Sequence, residues 1–130
     1  MMVLGIDFGT KKVGLALLEA TSTVISPLPV VKNDRHLFLH LVKIVSDYRV
    51  EIIVVGMPSY ETTQKKVKRF VQNFELFLQK DLTIQYVNED NTSLGIKSQI
   101  NSPKQEKNLD SLSAVAILEQ WQTETFNMTA

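Results

Sequence analysis

The stretch Val3-Leu4-Gly5-Ile6-Asp7-Phe8-Gly9-Thr10-Lys11-Lys12-Val13-Gly14-Leu15-Ala16-Leu17-Leu18 decides the fold. Two apolar runs flank a short polar turn. Met2 to Asp7 reads as a buried strand with one polar end, Phe8 to Lys12 as a turn, and Val13 to Leu18 as the partner strand of a hairpin. Gly9 lets the backbone turn and approach a ligand closely. Asp7 closes the first strand, and open α/β sheets gather ligands beyond the carboxyl ends of their strands.

Outward from the hairpin, strand and helix patterns alternate. Thr23 to Val31 contains Pro27 and Pro29, which suit an edge strand or a loop. Asp34 to Tyr48 repeats Leu37, Leu41, Ile44 and Val45 at helical spacing, with Phe38 and Val42 widening the stripe and Asn33 or Asp34 as the cap. Glu51 to Gly56 carries Ile-Ile-Val-Val, a strand buried on both faces. A helix beginning at Thr62 or Thr63 runs to about Lys80 and turns Val67, Phe70, Phe74, Phe77 and Leu78 inward. Thr83 to Val87 is a further strand. Thr92 or Ser93 caps a short helix to about Ile100, and Ser102 to Lys107 is a polar loop. Asn108 to about Thr123 is apolar almost all round, as a helix packed into the core would be.

This order predicts one α/β domain over residues 1–123 with a C-terminal tail at 124–130. The right-handed crossover rule makes the later strands parallel to the first, with helices on both faces of one mixed sheet.

The 130 residues are 44% hydrophobic and 22% charged, the mixture of a globular protein rather than a disordered one. With no cysteine, disulfides, thiolate zinc sites and cysteine nucleophiles are excluded. Any metal must be held by oxygen or imidazole. His36 and His40 lie one helical turn apart and read as the polar edge of a helix. The first apolar run is broken at once by Asp7, so no signal peptide is expected, nor any membrane span, and the cytoplasm is the expected location. The net charge of zero lacks the basic footprint common in nucleic-acid binders. It can still hide local cationic faces, such as Lys11 with Lys12, or Lys65, Lys66, Lys68 and Arg69.

Three acids stand at the ends of core elements: Asp7 after the first strand, Glu89 after the strand at Thr83 to Val87, and Asp110 in the first turn of the last helix. Singly, each has an ordinary use. Asp7 suits a turn, Glu89 a solvated loop, and Asp110 the positive end of a helix dipole. Together they fall on elements that can converge. Clustered carboxylates repel unless a cation compensates, and hard divalent ions prefer oxygen ligands. Two such ions about 3.5–4 Å apart can serve an in-line phosphodiester displacement without a side-chain nucleophile.

Asp-x-Gly-Thr after an apolar strand recurs across the RNase H-like and actin-like superfamily. The ATPase branch needs two such domains, and 130 residues hold one. From Val3 to Leu118 the chain resembles the YqgF family, also called RuvX, whose members are named as pre-16S rRNA nucleases and as Holliday junction resolvases. Leu4 to Ala16 is similar to the family's opening signature. Ile53-Val54-Val55-Gly56-Met57-Pro58 resembles its strand ending in Gly-x-Pro. Asn88-Glu89-Asp90-Asn91-Thr92-Ser93 falls where it has Asp-Glu-Arg-x-Thr-Thr or Ser. Leu109 to Leu118 resembles its closing Asp-x-x-Ala-Ala-x-x-Leu helix.

The resemblance implies an RNase H-like fold with a mixed sheet of about five strands. It implies Asp7, Glu89 and Asp110 as catalytic, metal-binding acids, and Mg²⁺ or Mn²⁺ as the cofactor. Gly9, Thr10, Lys11, Lys12, Thr92, Lys104 and Lys107 would meet the substrate. The implied partner is nucleic acid, either structured RNA such as the 5′ end of precursor 16S rRNA in a ribosome precursor, or branched DNA. The chain would act as a monomer or a homodimer. Three departures stand out. Asn88 replaces an acid, Asp90 replaces an arginine, and Ser59-Tyr60-Glu61-Thr62 replaces an Asn-Met-Asp-Gly-like stretch. Around Lys104 and Lys107 the basic run is thinned by Glu106. Fewer cations imply a weaker grip on the backbone, so a nucleic-acid- or ribosome-binding protein with reduced or lost cleavage is the alternative.

Overall fold

The hairpin forms as two strands, β1 (Met2–Phe8) and β2 (Lys12–Glu19), with Phe8 opposite Val13 and Asp7 opposite Gly14. The structure, a computed structural model, describes residues 1–88 and 109–129. Strand β3 (Val24–Lys32) follows, antiparallel to β2 and at the sheet edge. Proline lacks an N–H to give a ladder, which is why Pro27 and Pro29 are tolerated there. The β2–β3 register shifts between Val13 and Leu15, so that Gly14 faces a bulge at Pro29 and Val30.

Helix α1 (Leu37–Asp47), strand β4 (Val50–Met57), helix α2 (Glu61–Leu78) and strand β5 (Thr83–Asn88) continue the chain. The described residues end with helix α3 (Leu109–Thr129). The sheet order is β3-β2-β1-β4-β5, with β4 parallel to β1 and β5 parallel to β4.

Side-chain alternation divides the core into two layers. Leu4 and Ile6 of β1, with Ile53 and Val55 of β4, meet Leu37, Leu41 and Val45 of α1 and Val67, Phe70, Val71 and Phe74 of α2. On the other face Val3, Ala16, Leu18, Val54 and Val87 meet Ala114, Ile117, Leu118 and Trp121 of α3. Each such fully buried Leu or Ile contributes about 1.5–3 kcal/mol. Gly5 marks the closest approach: a Cβ there would lie 2.6 Å from Leu118 Cγ and 3.0 Å from the Ala114 carbonyl oxygen. Two bonds fix the path of α3. Ser111 Oγ donates to the Leu28 carbonyl at 2.6 Å, and Trp121 Nε1 donates to Gln85 Oε1 at 2.6 Å. The helix therefore crosses the sheet from β3 to β5.

Several boundaries and one face differ from the sequence reading. Helix α1 starts at Leu37, because Asp34 is spent on a preceding turn, accepting from the His36 N–H at 2.9 Å and the Leu37 N–H at 3.1 Å. Neither Thr62 nor Thr63 begins α2. Its N-cap is Tyr60, which makes no side-chain capping bond. Phe77 is not an inward residue. It is 45% exposed and lies against Phe38 of α1 at 5.5 Å, while Val71 takes the buried place. Helix α3 continues past Thr123 to Thr129, and its buried residues Ser111, Ala114, Ile117, Leu118 and Trp121 form one stripe. The short helix expected from Thr92 or Ser93 and the loop at Ser102 to Lys107 lie outside the described residues. Among the described residues no helix is long and apolar enough to cross a membrane.

Candidate functional site

Strands β1, β4 and β5 run in one direction and end on one edge, at Phe8, Met57 and Asn88. Asp7 is half-buried at that edge. Val3 and Gly5 meet α3, so alternation puts Asp7 on the same face. Its cross-strand partner Gly14 has no side chain to fill the space beside it. The first turn of α3, which contains Asp110, approaches from that side. Ser111 holds it to Leu28, Leu28 pairs with Leu15, and Leu15 pairs with Ile6. The helix thus starts at a level one residue short of Asp7.

Asp7 and the backbone of Asp110 therefore share one face and one edge of the sheet. Glu89 follows Asn88 directly in the chain and lies outside the described residues, as do Thr92, Lys104 and Lys107. Of the three acids only Asp7 has a described side chain, and among the described residues no three His, Asp or Glu side chains group as metal ligands. His36 and His40 are exposed, at and within the start of α1, on the opposite face.

The turn after Asp7 is held by contacts that local pattern does not reveal. Asn33 donates its side-chain N–H to the Gly9 carbonyl at 2.8 Å and its backbone N–H to the Lys11 carbonyl at 2.9 Å. A Cβ on Gly9 would run into the Lys12 carbonyl oxygen, so only glycine fits. Thr10, Lys11 and Lys12 are exposed on this turn. Gln64 of α2 reaches back to the carbonyls of Pro58 at 2.8 Å and Ser59 at 3.3 Å, fixing the loop after β4. Asn33, expected as a cap of α1, instead holds this turn, and Gln64 and Ser111 are positioning residues that the sequence does not assign.

Two depressions open at this edge. One, of about 410 Å³, lies between α1 and α2, with Phe8, Phe38 and Phe70 at its floor and Arg35, Lys66 and Arg69 at its rim. The other, of about 200 Å³, lies beyond β4 and β5 and is lined by Met57, Pro58, Gln64, Tyr86 and Asn88. Burial and the nearby Glu75 carboxylate push the Tyr86 phenol above its usual range. The phenol is protonated near neutrality, as an ordinary tyrosine is, and can donate a hydrogen bond.

The RuvX family profile, described as Holliday junction resolvase, matches residues 1–124. The chain belongs to the RuvX family. A relative from Maridesulfovibrio salexigens is 35% identical over 131 residues, spanning 93% of this chain and 97% of its own. One from Mycoplasma mobile is 34% identical, spanning 91% of this chain and 89% of its own. One from Sulfurihydrogenibium is 32% identical, spanning 92% and 88%. All three carry the provisional name of pre-16S rRNA nuclease.

Among solved structures, the fowlpox virus Holliday junction resolvase matches this RuvX chain with a TM-score of 0.61 at 14% identity, covering 95% of this chain and 99% of that one. Thermus thermophilus RuvC, bound to a Holliday junction substrate, matches with a TM-score of 0.59 at 15% identity, covering 100% and 97%. At these identities the likeness is one of fold, and the fold is RNase H-like. RuvX is a nuclease family, so the reaction class is phosphodiester hydrolysis and the partner is nucleic acid. RNase H-like nucleases of this kind generally depend on divalent metal.

Proposed function

We propose that this RuvX chain is an endonuclease that trims the 5′ end of precursor 16S rRNA in the cytoplasm, with Asp7, Glu89 and Asp110 holding Mg²⁺ or Mn²⁺. The observation that carries the reading is the position of Asp7. It is a half-buried carboxylate at the carboxyl end of β1, on the face where α3 begins with Asp110 in its first turn. Glu89 comes two residues after Val87, whose side chain packs on that same face. An all-carboxylate donor set without cysteine suits a hard divalent ion.

Such an ion, when bound, would supply charge stabilisation at the phosphate and make water easier to deprotonate for the attack. The protein's own residues do the rest. Asp7 offers its oxygens from a rigid strand rather than from a loop. The Gly9 turn brings the backbone close to the edge, and Thr10, Lys11 and Lys12 present a hydroxyl and two cations to the substrate's phosphates. Phosphate contacts set register rather than sequence, in keeping with a substrate chosen by its shape. Thr92, Lys104 and Lys107 are assigned to substrate contact by family resemblance. Asn88, at the exposed end of β5, offers an amide where the family has an acid. It can hydrogen-bond but adds no charge.

The description of the family as Holliday junction resolvase favours a second reading, cleavage of four-way DNA. Paired cuts need a two-fold dimer, so a strict monomer in solution counts against it. One experiment compares the wild type and Asp7→Asn on a 5′-extended 16S rRNA fragment and on a four-way junction, both with Mn²⁺. We expect cleavage of the RNA by the wild type, with a loss of at least about a hundredfold in Asp7→Asn, because several kcal/mol of metal-assisted stabilisation depend on the ligand. Equal rates would remove Asp7 from the mechanism. Cleavage of the junction alone would replace the substrate. No cleavage of either would leave a binding protein.

A further inference from the structure

The cleft between α1 and α2 lies on the opposite side of β1 from Asp7, and the acid chemistry does not use it. It holds about 410 Å³, within the range of pockets that enclose small organic groups. Its floor is aromatic. Phe8 stacks on Phe70 with ring centres 4.7 Å apart and planes inclined by 29°, and Phe38 stands 6.0 Å from Phe70. Phe8 and Phe38 are only half-buried, so part of the ring surface faces the cleft. Its rim carries Arg35, Lys66 and Arg69 against one acid, Asp34. Among the described residues none of these three cations is in an ion pair. An apolar floor under an unbalanced cationic rim complements a planar aromatic group that carries a negative charge.

Phe8 follows Asp7 in the same strand, and consecutive strand residues point to opposite faces about 3.3 Å apart along the strand. A nucleic-acid strand crossing the carboxyl edge at Phe8 would therefore meet the acid on one side and the cleft on the other. We infer that this cleft takes one unpaired nucleotide next to the scissile phosphate, with its base against Phe8 and Phe38 and its phosphate at Lys66 and Arg69. The assignment rests on Asp7 marking the cleavage site. A base inside a duplex is covered on both faces by its neighbours and cannot enter such a cleft. The consequence is a preference for substrates whose nucleotides beside the cleavage point are single-stranded. Stacking on aromatic rings tolerates any base, so the selectivity is for strand state rather than sequence.

The test uses a fluorescein-labelled RNA hairpin with a four-nucleotide 5′ overhang and the same hairpin blunt-ended, with anisotropy read in EDTA so that no cleavage occurs. We expect the wild type to bind the overhang about tenfold more tightly, the scale of one stacked base. Lys66→Gln with Arg69→Gln, both exposed positions, should reduce that ratio to below about threefold. Phe38→Leu should do the same while the folding transition followed by Trp121 fluorescence persists. If Phe38→Leu does not fold, the rim variant still decides. Equal binding of the two hairpins by the wild type, or an unchanged ratio in the rim variant, overturns the proposal. An overhang preference kept by Asp7→Asn supports it. If the wild type fails to cleave yet shows the rim-dependent preference, the cleavage reading and the placement beside a scissile phosphate fail, and the cleft stands as a binding site for an unpaired nucleotide. If cleavage depends on Asp7 and no preference exists, the reverse holds.

Discussion

Asp7 is legible in the sequence because everything that marks it is local. An apolar run precedes it, a glycine follows two positions on, and a second apolar run returns. Gly9 is legible for the same reason, and the structure gives the requirement a physical form, since a Cβ there meets the Lys12 carbonyl oxygen. Gly9→Ala should cost about 1–3 kcal/mol, the usual penalty for forcing atoms into filled space. Urea denaturation checks the stability, and RNA cleavage under conditions where the variant is folded should still fall, because the turn carries Thr10, Lys11 and Lys12. Asn33 and Ser111 were not legible. Their bonds join residues 24 and 83 positions apart, and no local pattern encodes such a partner. Ser111 is 1% exposed, and its hydroxyl is the partner of the Leu28 carbonyl. Ser111→Ala should therefore cost about 0.5–1.5 kcal/mol, the usual net worth of a hydrogen bond, here to a half-buried acceptor. If the bond also sets the start of α3, cleavage should drop further than the same loss of stability produces in a variant at the Trp121 end. Parallel melts and rates would show this.

At the scale of elements, strands were easier to read than helix faces and ends. β-branched runs bounded by Gly and Pro give β4 away, and the two prolines of β3 leave an edge strand or a loop, of which the structure shows the edge strand. In the sequence, Val67, Phe70, Phe74, Phe77 and Leu78 at helical spacing mark the inward face of α2. Spacing identifies a stripe but not what covers it. Phe77 faces α1 and meets Phe38 there, while Val71 meets the core. The end of α2 hides a second feature. Gln79, its C-cap, has φ of 50° in the left-handed region, where a side chain is disfavoured and glycine is not. That conformation costs an L-residue about 1–2 kcal/mol, and glycine gives back roughly 0.5–1 kcal/mol in unfolded-chain entropy. Gln79→Gly should thus raise stability by about 0.5–1 kcal/mol. The same change at Lys80, outside the positive-φ set, should lower it. Urea midpoints of the two variants make the comparison, and a loss at both positions would show that the cap carries no strain.

Across the whole molecule, a formal charge of zero conceals local cationic ground: Arg35, Lys66 and Arg69 line the cleft between α1 and α2, while Asp7 lies on the other face of β1. The global number predicted little of this, because affinity for phosphate depends on where cations stand and not on their sum. The proposed metal site is testable through stability. An ion that binds only the folded chain stabilises it by about 2.7 kcal/mol at a hundred times its dissociation constant. For a domain of this length that is a rise of roughly 10 °C in melting temperature. With Asp7, Glu89 and Asp110 as the ligands, the wild type should melt higher as Mg²⁺ or Mn²⁺ is added, and Asp7→Asn should respond far less. In EDTA the order should reverse or level, because crowded like charges destabilise the metal-free fold and the variant removes one of them. A purely structural Asp7 predicts something different. As a turn residue alone, its substitution would lower the melting temperature by the same amount with and without metal. Calorimetric melts of both proteins in EDTA and in Mg²⁺ therefore separate a ligand from a turn residue, and no cleavage assay is needed to do so.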